Sequence, residues 1–67
     1  MKFYVMDQTG HSTFEFDKSE TAVSKAMATF KALVGAGHVA ATRKTGATDY
    51  TVTKTFDPTA DETLFVP

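Results

Sequence analysis

A single stretch of this chain repeats apolar residues at helical spacing. Val23, Ala26, Met27, Phe30, Leu33 and Val34 recur at intervals of three, four and seven, while Ser24, Lys25, Thr29 and Lys31 fall between them. A helix with one apolar stripe needs an apolar surface to lie on, and 67 residues leave room for one core and no second domain. The rest of the chain must therefore supply a sheet. A chain this short buries only roughly 60% of its unfolded surface, too little to support a deep multi-residue active site as well as a fold. The helix is expected from about Lys18 to Val34. Asp17-Lys18-Ser19-Glu20 reads as a capping box, with Asp17 or Ser19 as the cap, and Gly35-Ala36-Gly37 stops the helix.

The flanking segments alternate. Lys2 to Asp7 is a short apolar run, Gln8-Thr9-Gly10-His11 supplies a turn, and Thr13-Phe14-Glu15-Phe16-Asp17 alternates strictly, which predicts a β-hairpin. Phe3, Val5, Phe14 and Phe16 are assigned to its inner face, which leaves Tyr4 and Met6 on the outer one. After the helix, His38 to Lys44 and Asp49 to Phe56 predict a second hairpin around Thr45-Gly46-Ala47-Thr48. Here Tyr50, Val52 and Phe56 share the inner phase, and Thr51, Thr53 and Thr55 face water. Lys54 breaks this pattern, by a bulge or by snorkelling at the sheet margin. Asp57-Pro58 begins a helical turn, and Leu64-Phe65-Val66 is a possible short final strand.

The expected fold is α+β, one domain over residues 1–67 in the order ββαββ. It has a four-stranded mixed sheet with one amphipathic helix on one face, and a right-handed crossover that sets the first and last main strands side by side in parallel. Met1-Lys2-Phe3-Tyr4-Val5, the Thr9-Gly10 turn and the acid-capped helix resemble the first half of ubiquitin and its relatives. The hairpin around Gly46, ending Thr51-Val52-Thr53-Lys54-Thr55-Phe56, is similar to the immunoglobulin-binding domains of streptococcal protein G. The resemblance implies the β-grasp fold. For the ubiquitin-like branch it also implies a modifier or sulfur carrier ending in Gly-Gly, where this chain reads Leu64-Phe65-Val66-Pro67.

Charge and composition narrow the function classes. Seven Lys and Arg against eight Asp and Glu give a net charge of −1, no basis for nonspecific binding to phosphate backbones or anionic lipid. The absence of cysteine removes disulfides and thiolate chemistry and fits a reducing, cytoplasmic setting. The N-terminal apolar run ends at Asp7, short of a signal peptide or a membrane span. His11 and His38 are the groups that titrate near neutrality, and both are read as turn residues, since Asp7 with His11 supplies at most two metal ligands. Ser12, Ser19 and Ser24 have no nucleophile-elbow context, and Gly35-Ala36-Gly37-His38 follows a helix where a phosphate loop would open one. Arg43-Lys44 with Lys54 forms a basic patch with two readings, edge protection or nucleic-acid contact.

These features predict a monomeric, non-enzymatic protein-interaction module with no cofactor, metal, nucleic-acid or membrane partner. A protein partner is expected on the open sheet face, at Tyr4, Met6, Thr51 and Thr53, or along a strand edge. The competing reading for Tyr4 and Met6 is that the C-terminal segment folds back and buries them.

Overall fold

The alternating N-terminal segments form the first hairpin in the computed structural model, which describes residues 1–7 and 9–67. Strand β1 (Lys2–Asp7) pairs antiparallel with β2 (Gly10–Glu15), Phe3 opposite Phe14 and Tyr4 opposite Thr13. Gln8, assigned to the intervening turn, lies outside the described residues. His11, assigned to the same turn, is an exposed residue of β2.

Helix α1 (Glu20–Gly35) starts at Ser19, whose backbone is still extended and whose Oγ accepts from the Ala22 N–H at 3.2 Å. Asp17 is not the cap; its Oδ1 accepts from the Ser19 N–H at 2.8 Å and fixes the approach to it. At the far end Gly37 takes φ +103 and its N–H bonds to Val34 O at 3.1 Å, while the His38 N–H reaches Leu33 O at 3.1 Å. This pair of bonds closes the helix in a Schellman motif, and the positive φ demands glycine at that position.

The chain continues into β3 (Val39–Arg43) and β4 (Thr51–Thr53), joined by a loop whose Lys44–Ala47 turn has Gly46 at φ +83. The predicted run to Phe56 stops at Thr53. There the Thr53 Oγ1 both accepts from the Thr55 N–H and donates to the Thr55 carbonyl at 3.1 Å, bending the chain away from the sheet before Lys54. The Asp57-Pro58 segment forms a turn rather than a helix: Asp57 Oδ1 accepts from the Thr59 N–H and hydroxyl at 2.9 and 2.6 Å. That turn aims the chain back at the sheet, where the Asp61 N–H bonds to Arg43 O and the Lys2 N–H to Asp61 O, both at 3.0 Å. Strand β5 (Glu62–Val66) then enters between them.

The sheet thus has five strands, not four, in the order β2-β1-β5-β3-β4, with β1 and β5 parallel and every other neighbouring pair antiparallel. The segment expected as an optional final strand is the central one. It does not fold over Tyr4 and Met6; it lies beside them in the sheet.

Helix and sheet meet over the three middle strands. The buried core joins Phe3 and Val5 of β1, Phe65 of β5 and Ala40 of β3 with Ala26 and Phe30 of α1. Five of the six phenylalanines form an edge-to-face line, Phe16–Phe3–Phe65–Phe30–Phe56, with ring centroids 5.0 to 5.8 Å apart. The outer strands add nothing to this core, which explains three departures from the predicted packing. Phe14 shares a face with Phe3 but sits on edge strand β2 and is 44% exposed, and Met27, on the flank of the helix stripe, is 39% exposed. Val52 is 69% exposed because its face is opposite to the one predicted.

Candidate binding surface on the open sheet face

Residues paired across a sheet share a face, so the register assigns every strand residue to the helix side or the open side. One row on the open side runs Val52, Ala41, Leu64, Tyr4, Thr13 across all five strands. To one side of it Val39 pairs with Val66 and Met6 with His11. To the other runs a charged row, Arg43, Glu62, Lys2, Glu15. The open face is therefore a band of apolar side chains bordered by charge.

Tyr4 and Met6 stand on this face, each half-buried. Thr51 and Thr53 do not. They pair with Thr42 and Ala40, in phase with Thr63 and Phe65 on the helix side, so the four predicted site residues divide between two faces. The reason is an inverted phase in β4: the sequence pattern placed the larger residues Tyr50 and Val52 inside, but a three-residue edge strand beyond the helix has no core to reach. The residues the sequence reading missed are Val39, Leu64 and Val66. For Leu64 and Val66 the signal was the short apolar run of the last strand, which reads as a strand buried on one face and half-covered on the other once it is central; Val39 shares their face only through the β3–β5 register.

The charged row is organised by Glu62. Its Oε1 accepts from the Tyr50 hydroxyl at 2.8 Å and Arg43 Nε at 3.2 Å, and its Oε2 from the Tyr4 hydroxyl at 3.4 Å. Arg43 Nη2 also bridges to Asp61 Oδ2 at 3.1 Å, and Nη1 donates to the Ala47 carbonyl at 2.9 Å. Arg43 is thus committed to two carboxylates and the carbonyls of Lys44 and Ala47, and does not join Lys44 and Lys54 in a basic patch. The cluster ties β1, β3, β5 and the loop before β4 through one carboxylate, and it frames the apolar band. On the same sheet edge Lys2 and Glu15 pair at 3.6 Å, both exposed.

The Tyr50 hydrogen bond, with further help from Arg43 and Tyr4, holds the Glu62 carboxyl below its ordinary value of 4.5, against an opposing effect of burial that outweighs the Arg43 hydrogen bond alone. The same contact raises the Tyr50 phenol. A carboxyl with a lowered folded pKa contributes stability that is present above its unfolded value and is lost as pH falls through the folded one. Urea midpoints measured from neutral pH downward should therefore fall below the ordinary glutamate range. Glu62→Gln should flatten part of that fall, leaving the part due to Asp7, Asp17 and Asp57, whose carboxyls are lowered chiefly by hydrogen bonds from Thr9, Ser19 and Thr59. An identical acid profile in the variant would remove Glu62 from this role.

His38 is half-buried behind the helix cap, with its Nδ1 enclosed and unpartnered among the described residues. Among the described residues no three His, Asp or Glu side chains converge, and no helix is long and apolar enough to cross a membrane. The chain matches no protein-family model, no curated protein and no solved structure.

Proposed function

We propose that this chain is a non-enzymatic protein-interaction module of β-grasp type whose partner docks on the open sheet face. The fold reading is supported by the strand order β2-β1-β5-β3-β4, the parallel β1–β5 pair and the one helix following the first hairpin. The observation that carries the binding reading is the distribution of exposed apolar side chains. Val39, Val52 and Val66 of the open-face rows and Tyr50 beside Glu62 are 46, 69, 37 and 41% exposed, and they surround half-buried Leu64, Tyr4 and Met6. A contiguous apolar band with a charged border has the anatomy of an interface core with a polar rim.

The test is affinity capture with the wild-type chain, followed by titration of the captured partner against open-face variants. Val52→Lys puts a charge in the band at a site too exposed to affect folding, and Tyr4→Ala removes the aromatic anchor. Each should weaken binding by about tenfold or more, as truncating a central anchor does. Tyr4→Ala should also cost less stability than Phe3→Ala, since Phe3 is fully buried. Partner affinity unchanged in both open-face variants would move the interface elsewhere.

A further inference from the structure

On the opposite side of the molecule the chain leaves β4 and crosses the flank of α1, where Phe56 packs edge-on against Phe30 at 5.8 Å. Between them lies a groove of about 300 Å³ lined by Met27, Phe30, Lys31, Lys54, Thr55 and Phe56. Three of these are large apolar side chains, and Met27 is 39% exposed there although the helix stripe predicts it buried. The two charged residues of the lining are both lysines, both exposed, and neither forms an ion pair among the described residues. Among the described residues no carboxylate lines the groove. In a chain of net charge −1 whose Arg43 is neutralised by two carboxylates, two unpaired lysines beside an apolar slot are a local concentration of positive charge.

We propose that this groove is a second docking site, distinct from the open sheet face, for a short acidic peptide segment that inserts one bulky apolar side chain between Met27 and Phe56. The chemistry is complementary on both counts. The apolar side chain covers Met27 and the edge of Phe56, and flanking carboxylates meet the Lys31 and Lys54 ammonium groups, which are preserved for a partner because no internal acid takes them. β4 is the last strand of the sheet and ends at Thr53, one residue before Lys54 of the groove, so an extended segment that continues past Lys54 meets a strand edge with no strand partner among the described residues.

The probe is a capped pentapeptide with a central leucine and aspartates on both sides, titrated into the ¹⁵N-labelled chain at low salt. Matched peptides carry lysine or asparagine in place of aspartate, or alanine in place of leucine. The aspartate–leucine peptide should shift the amides of Met27, Lys31 and Lys54 to Phe56 and bind more tightly than all three controls, with the preference weakening as salt rises. The double variant Lys31→Glu, Lys54→Glu, at two exposed sites, should keep the wild-type melting temperature, weaken the aspartate peptide by about fivefold or more, and bind the lysine peptide instead. Tyr4→Ala should leave this binding unchanged, so failure here and failure of the open-face reading are separately visible. Equal binding of the aspartate and lysine peptides, shifts centred on Tyr4 and Leu64, or no saturable shift would each overturn the site. So would tighter association with phosphatidylglycerol vesicles than with any peptide, which would assign the lysines to a lipid surface.

Discussion

A chain lacking Leu64 to Pro67 is expected to show no cooperative thermal transition and a collapsed spread of amide chemical shifts. The deletion removes Phe65, fully buried at the middle of the aromatic line and in edge-to-face contact with both Phe3 and Phe30 at 5.0 and 5.6 Å. Losing that side chain alone should cost about 3–5 kcal/mol, comparable to all the stability a domain of this size holds. The deletion also breaks both ladders that β5 makes. Phe65 is the partner of Val5 on one side and Ala40 on the other, and Leu64 joins Tyr4 to Ala41. What is left is two two-stranded hairpins bridged in the sheet only by Glu62 and Thr63, and an isolated hairpin is marginal in water. A tail that merely covered the open face would behave differently: its removal would leave a cooperative fold with Tyr4 exposed. A sharp melt near the wild-type temperature would therefore refute the central position of β5.

The helix, the first strand and the hairpin order are legible in the sequence because each rests on a local pattern of several residues. The apolar spacing from Val23 to Val34, the Ser19 cap and the Gly37 stop all act within a few residues of one another. The place of β5 is not local. Leu64-Phe65-Val66 is too short to rank as a main strand by alternation, and its importance comes from the Asp57 turn and the Asp61 backbone bonds that thread it between β1 and β3. The phase of β4 failed for a related reason. Alternation states that Val52 and Thr53 lie on opposite faces but not which face has a core behind it, and on a three-residue edge strand the usual inference from residue size does not hold.

The candidate site divides along the same line. Tyr4 and Met6 were readable because β1 has a clear inner pair, Phe3 and Val5, against which the outer pair is defined. Glu62, Arg43 and Tyr50 were not, since their convergence depends on β3 and β5 being neighbours in a given register, and nothing in the chain between Arg43 and Glu62, 19 positions apart, announces it. Val39 and Val66 face each other across the same pair of strands and share that dependence.

Phe30→Ala is expected to destabilise the fold by about 3–5 kcal/mol, through lost transfer energy and the cavity left behind, whereas Phe14→Ala should cost about 1 kcal/mol or less. Both residues were assigned to one core by sequence pattern, so the contrast isolates what the three-dimensional arrangement adds. Phe30 is 2% exposed and is the only helix side chain in the aromatic line, touching Phe65 at 5.6 Å and Phe56 at 5.8 Å. Its loss opens space between helix and sheet that the neighbouring rings, fixed by β5 and by the Thr53–Thr55 turn, cannot fill by small shifts. Phe14 faces the same side but is 44% exposed at the sheet edge, where water already solvates much of the ring. Urea denaturation of the two variants beside wild type decides the matter. The expected result is a Phe30→Ala chain with little or no native baseline and a Phe14→Ala chain with a midpoint near wild type. Equal losses in the two would mean that the helix covers β2 as well as the three central strands, and the core would have to be redrawn to include the edge.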